Sequence, residues 1–579
     1  MSIWKKFLKI FVTAVLVAAF ALPAIACDRS NSDTGVTEKV DKNRTQLYVT
    51  NFNKGFGDDW LYSLKLRFED FYKDEHFEPG KTGVQVMIDN TDRAGPEYLP
   101  MMKSSESAVV FNEVVYYNSY VNAGVVADIT DVVRGDLSVY GDEGTIEDKM
   151  SEQHKEFYTA KDGKYYGIPH YTSYTGIIYD VDLFEQRNFY LAYNQDNGNN
   201  GFIKTKTDRR SLGPDGKTGV IDGVDYSRDD GLPATYEEFF RLCEYIKGAG
   251  LVPTIWSGTY RSVYLSYILR SLAVDYEGKD QIMLNYTFDG TAENLVESIS
   301  ADGTVTKRPP VKIDNSNGYE LYTSAGRYHA IDFLSRLTFQ NGMNSGYWYK
   351  NGYEGGLSQI ETQKMYLTSV YESDRIAMLF DGIWWENEAN DTFLNMSVGD
   401  PEMAKTSRRF GFMPMPKATT AEIGEKSTML DTLYSMCFIN KNVEDDPVVF
   451  DLAKKFLMFA NTQQSLEEFT VITSSPKALN YEISEENQEK MSYFARDVWN
   501  LAERSDIVYP ISTNPLYLNN QSSFGYGDTF ASKVNGTVYT DIGSAIYNFK
   551  FTPKQLFDGI AVLNSKANWE SLYSQYFGD

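Results

Sequence analysis

The stretch QLYVTNFNKGFGDDWLYSLKLRFEDFYKDEHFEPGKTGVQVMIDNTDRAGPEYLPMMKSSESAVVF, residues 46–111, decides the fold class. Gln46–Asn51 (QLYVTN) reads as a strand. Trp60–Tyr72 then carries apolar side chains at helical spacing: Trp60, Leu61, Leu64, Phe68 and Phe71. Gly83–Asp89 (GVQVMID) is a second strand. Ala108–Phe111 is a third, short and apolar, as a strand covered on both faces must be. Strands alternating with helices imply a parallel α/β sheet, with ligands expected beyond the carboxyl ends of its strands.

Further along, Thr235 stands three residues before Glu238, the signature of a capped helix start, and that helix buries Phe239, Leu242, Cys243 and Ile246. Helices are expected by the same logic at 325–337 and 446–461. Between them, 193–230 is rich in Gly, Asn and Asp and reads as a loop-like insertion. Asp196, Asn200, Asp222 and Asp225 offer it oxygen ligands for calcium, but no twelve-residue calcium loop ending in Glu is present, so a solvated acidic loop is the favoured reading. Two other motifs fail. Gly213–Thr218 lacks the leading Gly of a phosphate loop, where Ser211 stands. Gly55-Phe-Gly57-Asp-Asp-Trp60 has Trp60 for the third Gly of a dinucleotide fingerprint, and two carboxylates that would repel a pyrophosphate.

The N-terminus is an export signal. Lys5, Lys6 and Lys9 precede an apolar run, 10–26, that is too short to span a membrane and is broken by Pro23. Two processing outcomes compete: ordinary cleavage after Ala24-Ile25-Ala26, or lipidation of Cys27. The polar tether 28–44 that follows favours lipidation, because a membrane-held extracellular domain needs one.

With 55 Lys and Arg against 80 Asp and Glu, the net charge is −25, which argues against nucleic acid as a partner. Three Cys in 579 residues exclude a disulfide scaffold, and Cys243 and Cys437 are expected as buried free thiols. Four scattered His exclude a His-rich metal site, and no cofactor is expected. Aromatic residues make up 15% of the chain.

Six segments in order resemble the family 1 extracellular solute-binding proteins of carbohydrate ABC transporters. They are AVVFNEVVYYNSYVNAGVVADIT (108–130), DGKYYGIPHYTSYTGIIYDVDLF (162–184), the run from Gly231 to Pro253, DRIAMLFDGIWW (374–385), FGFMPMPK (410–417) and the run from Val449 to Pro476. They span 46–479. The insertion and the last hundred residues match less well. The resemblance implies an α/β two-lobed clamp of the periplasmic-binding-protein type (type II), with parallel-core sheets flanked by helices and a hinge between the lobes. The chain would leave lobe one near Tyr171, return near Leu430 and cross again near Ser474. The implied organisation is a signal peptide (1–26), lipidated Cys and tether (27–44), lobe one (45–172 with 430–474) and lobe two (173–429 with 475–579). It further implies a monomeric lipoprotein on the outer face of the bacterial cytoplasmic membrane, which delivers a sugar or oligosaccharide to ABC permease subunits and is not itself an enzyme.

A sugar presents a C–H face and a rim of hydroxyls, so its site needs an aromatic ring beneath it and carboxylates, amides or Arg around it. Asp381, Trp384 and Trp385 supply both after an apparent strand, 376–380. Asn112 and Glu113 end the third strand, and Phe56, Asp59 and Trp60 follow the first. Tyr171 and Tyr174 lie by the first crossing; Trp256, Arg261 and Trp348 are further candidates, and His170 is read as structural. A secreted carbohydrate-active enzyme, with Glu386 or Glu388 paired to Asp381, is an alternative. A peptide or other-solute binder on the same clamp is another.

Overall fold

The computed structural model describes residues 38–52, 55–91, 93–524 and 530–577; the export signal and Cys27 lie outside the described residues. The principal strands are β1 (Thr45–Phe52), β2 (Val84–Thr91), β3 (Val109–Asn112), β4 (Ile168–Pro169), β5 (Thr175–Asp180), β6 (Val252–Ile255), β7 (Ile376–Gly382), β8 (Phe410–Met413), β9 (Thr428–Leu430), β10 (Met436–Ile439) and β11 (Asp506–Val508). The helices that shape the site are α1 (Asp59–Phe71), α2 (Tyr236–Gly248), α3 (Arg261–Thr287), α4 (Gln359–Thr368), α5 (Trp385–Glu388), α6 (Gln463–Thr473) and α7 (Tyr493–Glu503).

Lobe one is organised on a sheet of order β2-β1-β3-β10-β4. β1 pairs in parallel with β2 (Val49 opposite Ile88) and with β3 (Val49 opposite Val109), while β10 runs antiparallel to β3 and β4. The carboxyl ends of β1 to β4 therefore point one way, toward the second lobe. On α1, Trp60, Leu61, Leu64 and Phe68 are buried as their spacing requires. Phe71, expected on the same face, is half exposed at the helix end.

Lobe two is built on a sheet of order β8-β5-β7-β6, and here the parallel-core expectation needs correcting. Only β6 and β7 are parallel; β5 runs antiparallel to both β7 and β8. β5 follows the hinge directly, with no crossover helix to bring it in parallel to its neighbours. β7 (IAMLFDG) is buried along its whole length, the continuous apolar run of a strand covered on both faces. Thr235 caps α2 by accepting from the Glu238 amide at 3.3 Å, and Glu238 reaches back to the Ala234 amide at 2.7 Å. Cys243 and Cys437 are both buried free thiols.

The 193–230 insertion is fastened to the body by ion pairs and one ring stack. Arg504 Nη1 donates to Asp215 at 2.5 Å and to Asp229 at 2.6 Å, and Phe202 stacks on Tyr245 with centroids 4.0 Å apart. Asp225 is engaged by the Ser227 amide (3.0 Å) and by Arg228 (3.5 Å), while Asp222 holds a turn at φ 51°. No group of three or more His, Cys, Asp or Glu able to hold a metal occurs among the described residues. Nor is any helix there long and apolar enough to cross a membrane.

Candidate ligand site between the lobes

The two sheets are joined by buried chain crossings. The chain leaves β4 at Pro169 and enters β5 at Thr175; it returns from β9 at Leu430 to β10 at Met436. A third segment, after α6, lies alongside. The Tyr171 amide donates to Ser435 Oγ at 3.0 Å, the Ser173 amide to Asp431 Oδ1 at 2.9 Å, and Ser475 Oγ to the Thr172 carbonyl at 2.7 Å. Three extended segments thus satisfy one another's polar groups in a region that excludes water.

That burial has an electrostatic price. Desolvation pushes the Asp431 carboxyl up to about 7, against the opposing pull of hydrogen bonds from Ser173 and from the 433–434 backbone. It pushes the Lys477 amine down to about 7. Lys477 Nζ lies 2.6 Å from His170 Nδ1, and His170 is packed among the rings of Trp60, Phe111, Tyr171 and Phe469, so it is structural.

The raised Asp431 carboxyl makes the stability of the fold depend on pH. A carboxyl lifted from its ordinary 3.8 to about 7 gives the folded state an advantage that is complete at low pH and lost as pH rises through that range. Asp431→Asn keeps the shape and removes the titration. Its stability relative to the parent protein is expected to improve steadily from about pH 4 to about pH 8. Urea unfolding midpoints across that range measure this, and a pH-independent difference would contradict it.

Where the crossings meet the lobes, aromatic residues from separate segments converge. Phe56, in the loop after β1, lies 4.5 Å from the Tyr171 ring and 6.1 Å edge-on from Trp384, which follows β7. The Tyr171 hydroxyl donates to Glu113 Oε1 at the end of β3. Trp384 closes the chain of rings on Tyr267 of α3, 5.9 Å away. The contact is close: a Cβ on Gly55 would lie 2.8 Å from Trp384 Cβ, and one on Gly382 only 2.2 Å from the indole ring. Gly55, at φ 89°, is thus the residue type that lets the lobe-one loop rest on Trp384. Trp384 is 6% exposed.

Two contributors escape the sequence reading. Tyr267 and Arg270 sit on α3, with the Arg270 guanidinium 5.3 Å from the Tyr267 ring. The signal was present: Tyr264, Tyr267 and Ser271 recur at helical spacing after β6, and Ser271 Oγ donates to the Thr175 carbonyl at 2.8 Å, turning this face of α3 toward the hinge.

Other candidates belong elsewhere. Trp385 is fully buried against Tyr366, Phe393, Phe410 and Phe494. Trp256 and Trp348 pack on each other in the lobe-two core, and Trp256 also stacks on Phe380. Arg261 pairs with Asp541 at 3.3 Å, tying α3 to the C-terminal helices. Trp60 packs under the hinge, edge-on to Phe111 and Phe469. Asn112 acts as a bracket: its Oδ1 accepts from the Gly95 and Glu113 amides at 2.9 and 2.7 Å. Asp59 is exposed in the first turn of α1, where its charge suits the helix dipole. Tyr174 is buried, its carbonyl accepting from the Ile383 amide at 3.0 Å.

The carboxylates after β7 are arranged around protein groups. Gln363 Nε2, on α4, donates to Asp381 Oδ2 at 3.1 Å and to Glu388 Oε2 at 2.6 Å. Burial pushes Glu388 up to about 7; burial and then the Glu388 charge push Asp381 up as well. Glu386 has separate partners, its Oε2 accepting from Ser474 and Ser492.

Two α/β lobes joined by buried crossings are the architecture of the two-lobed solute-binding proteins; this chain has that fold. The solved structures it resembles include a chitin oligosaccharide binding protein (TM-score 0.51, 15% identity, 91% of this chain and 100% of the other). A structure from work on xylan utilization by the thermophilic bacterium Caldanaerobius polysaccharolyticus is equally similar (TM-score 0.51, 13% identity, 90% and 99%). So is a probable secreted solute-binding lipoprotein from Streptomyces coelicolor (TM-score 0.51, 12% identity, 90% and 99%). No protein-family model matches the sequence, and no curated protein sequence does.

Proposed function

We propose that this protein is the substrate-capturing component of a bacterial ABC importer, closing its two lobes on a sugar or oligosaccharide and passing it to a membrane permease. The observation that carries the reading is the meeting of Phe56, Tyr171, Trp384 and Tyr267, from both lobes and the hinge, with Glu113 on the Tyr171 hydroxyl. Rings suit the C–H face of a sugar, and Glu113 with Arg270 suits its hydroxyls. A ligand touching both lobes favours the closed form by the difference between its affinities for closed and open forms.

Lobe one comprises 45–172 with 430–474, and lobe two 173–429 with 475–579. A lipid on Cys27 holds the body outside the cytoplasmic membrane, with 28–44 as tether. The paired carboxylates Asp381 and Glu388 hold the Gln363 amide between them, which favours binding over glycoside cleavage. The likeness to the chitin oligosaccharide binder supports an oligosaccharide as cargo. The test is incubation with a panel of oligosaccharides, followed by chromatography of the sugar released on denaturation. The bound sugar is expected back unaltered; a shortened product would replace this reading with the enzyme.

A further inference from the structure

The third crossing begins and ends on one side chain. Glu386 is buried at 1% exposure, and its carboxylate is held by two hydroxyls, with the Lys405 charge near enough to ease its burial: Oε2 accepts from Ser474 Oγ at 3.0 Å and from Ser492 Oγ at 2.8 Å. Ser474 terminates α6 in the left-handed conformation, φ 62°. Ser492 is the N-cap of α7, accepting from the Ala495 amide at 3.0 Å. Residues 474–492, which run from lobe one to lobe two, are therefore held at both ends by a residue two places after Trp384.

The next residue adds a second tie. Asn387 Nδ2 donates to the Thr473 carbonyl at 2.5 Å, one of the carbonyls that the end of α6 leaves without an intrahelical partner. Asn387 Oδ1 in turn accepts from Lys405 Nζ at 3.1 Å. The loop of lobe two that carries Trp384 thus caps a helix of lobe one. At the far end, Phe494 of α7 packs edge-on against Trp385, 5.6 Å away. Residues 480–484, past the crossing, still pack against lobe one, where the Asn480 amide donates to the Lys149 carbonyl at 2.7 Å and Glu467 accepts from the Ser484 amide at 3.1 Å. The segment's two ends thus belong to different lobes and share one anchor.

A buried carboxylate is costly to keep even with a cation such as Lys405 nearby, and burial still outweighs Lys405 and the two hydroxyls at Glu386. An apolar side chain would fill the same volume at lower cost, but it would not hold two hydroxyls from segments eighteen residues apart. We infer that Glu386 is a positioning residue that couples the Trp384 loop to the third hinge crossing, so that movement of either is transmitted to the other. The functional meaning of this coupling rests on the cleft reading above, but the coupling itself is a property of the unliganded chain.

Hydrogen exchange on the full ligand-free protein tests it. Glu386→Ala is expected to speed exchange about tenfold or more at the amides of both 383–389 and 474–477, corresponding to about 1.4 kcal/mol of lost local protection. The amides of β1 and β3 should keep their rates. Glu386→Gln, which keeps an acceptor oxygen, should retain part of the protection in both segments. Faster exchange in 383–389 alone, or in neither segment, would overturn the coupling. Should Glu386→Ala raise exchange throughout the protein, Ser474→Ala decides: it removes one hydroxyl, and it must still loosen 383–389, in which it makes no covalent change. Because no sugar is present, this result stands or falls apart from the identity of the cargo.

Discussion

Trp384→Ala is expected to weaken binding of the cognate oligosaccharide by about 2–3 kcal/mol, on the order of 30- to 150-fold, and to lower the unfolding midpoint as well, because the indole is buried between the lobes. Trp385→Ala is expected to lower the unfolding midpoint but to leave the affinity of the folded protein nearly unchanged. Trp384 lies at the meeting of the lobes, between Phe56 and Tyr267, with the Gly55 backbone against it. Trp385 fills the interior of lobe two among Tyr366, Phe393, Phe410 and Phe494, where truncation leaves a large cavity and costs about 3–5 kcal/mol of stability. Calorimetric titration and urea unfolding of the two variants separate the effects. Equal loss of affinity in both, at equal stability, would place the ligand elsewhere.

Lys417→Met is expected to destabilise the fold by about 3–5 kcal/mol. Lys417 Nζ donates to both oxygens of Asp275, at 3.1 and 2.9 Å, and Asp275 also accepts from the Thr428 amide at 3.0 Å. Both side chains are buried. Burial lifts the Asp275 carboxyl and the Lys417 charge opposes that lift, so removing the cation leaves a buried acid that is stable only when protonated. The loss should therefore be larger at pH 8 than at pH 5, because a carboxyl raised in the folded state costs stability as pH rises. Asp275→Asn added to Lys417→Met should recover much of it, since the isolated charge is then gone. The pair matters for the site because it ties α3, which carries Tyr267 and Arg270, to β9 at the entrance of the return crossing. A urea midpoint in Lys417→Met equal to that of the parent would show the pair to be dispensable.

These two cases also mark what could be read from the amino acids. The alternation over 46–111 and the Thr235–Glu238 cap are local signals, and local physics decides them: β1 to β3 and α2 form where spacing and capping require. The hinge and its neighbours were legible only through resemblance, because Ser173, Asp431 and Ser475 are ordinary polar residues until three distant segments are laid side by side.

Trp384 and Trp385 could not be told apart for a different reason. They are chemically identical neighbours, and α5 begins between them, so successive side chains leave the backbone in different directions. Which one meets the other lobe depends on a turn whose start no propensity fixes. Trp256 and Trp348 misled in the same way, since an aromatic at the end of a strand serves a core as readily as a cleft. The C-terminal hairpin, Ser532–Val534 with Thr537–Tyr539, carried a readable sign in Asn535-Gly536, both with positive φ as a tight hairpin turn needs.

The most direct measurement is calorimetric titration of the mature protein with a panel of oligosaccharides, repeated with Trp384→Ala. Saturable binding of one sugar per chain to the parent protein is expected, reduced on the order of 30-fold or more in the variant. Absence of binding across the panel, or binding that Trp384→Ala leaves untouched, would contradict it.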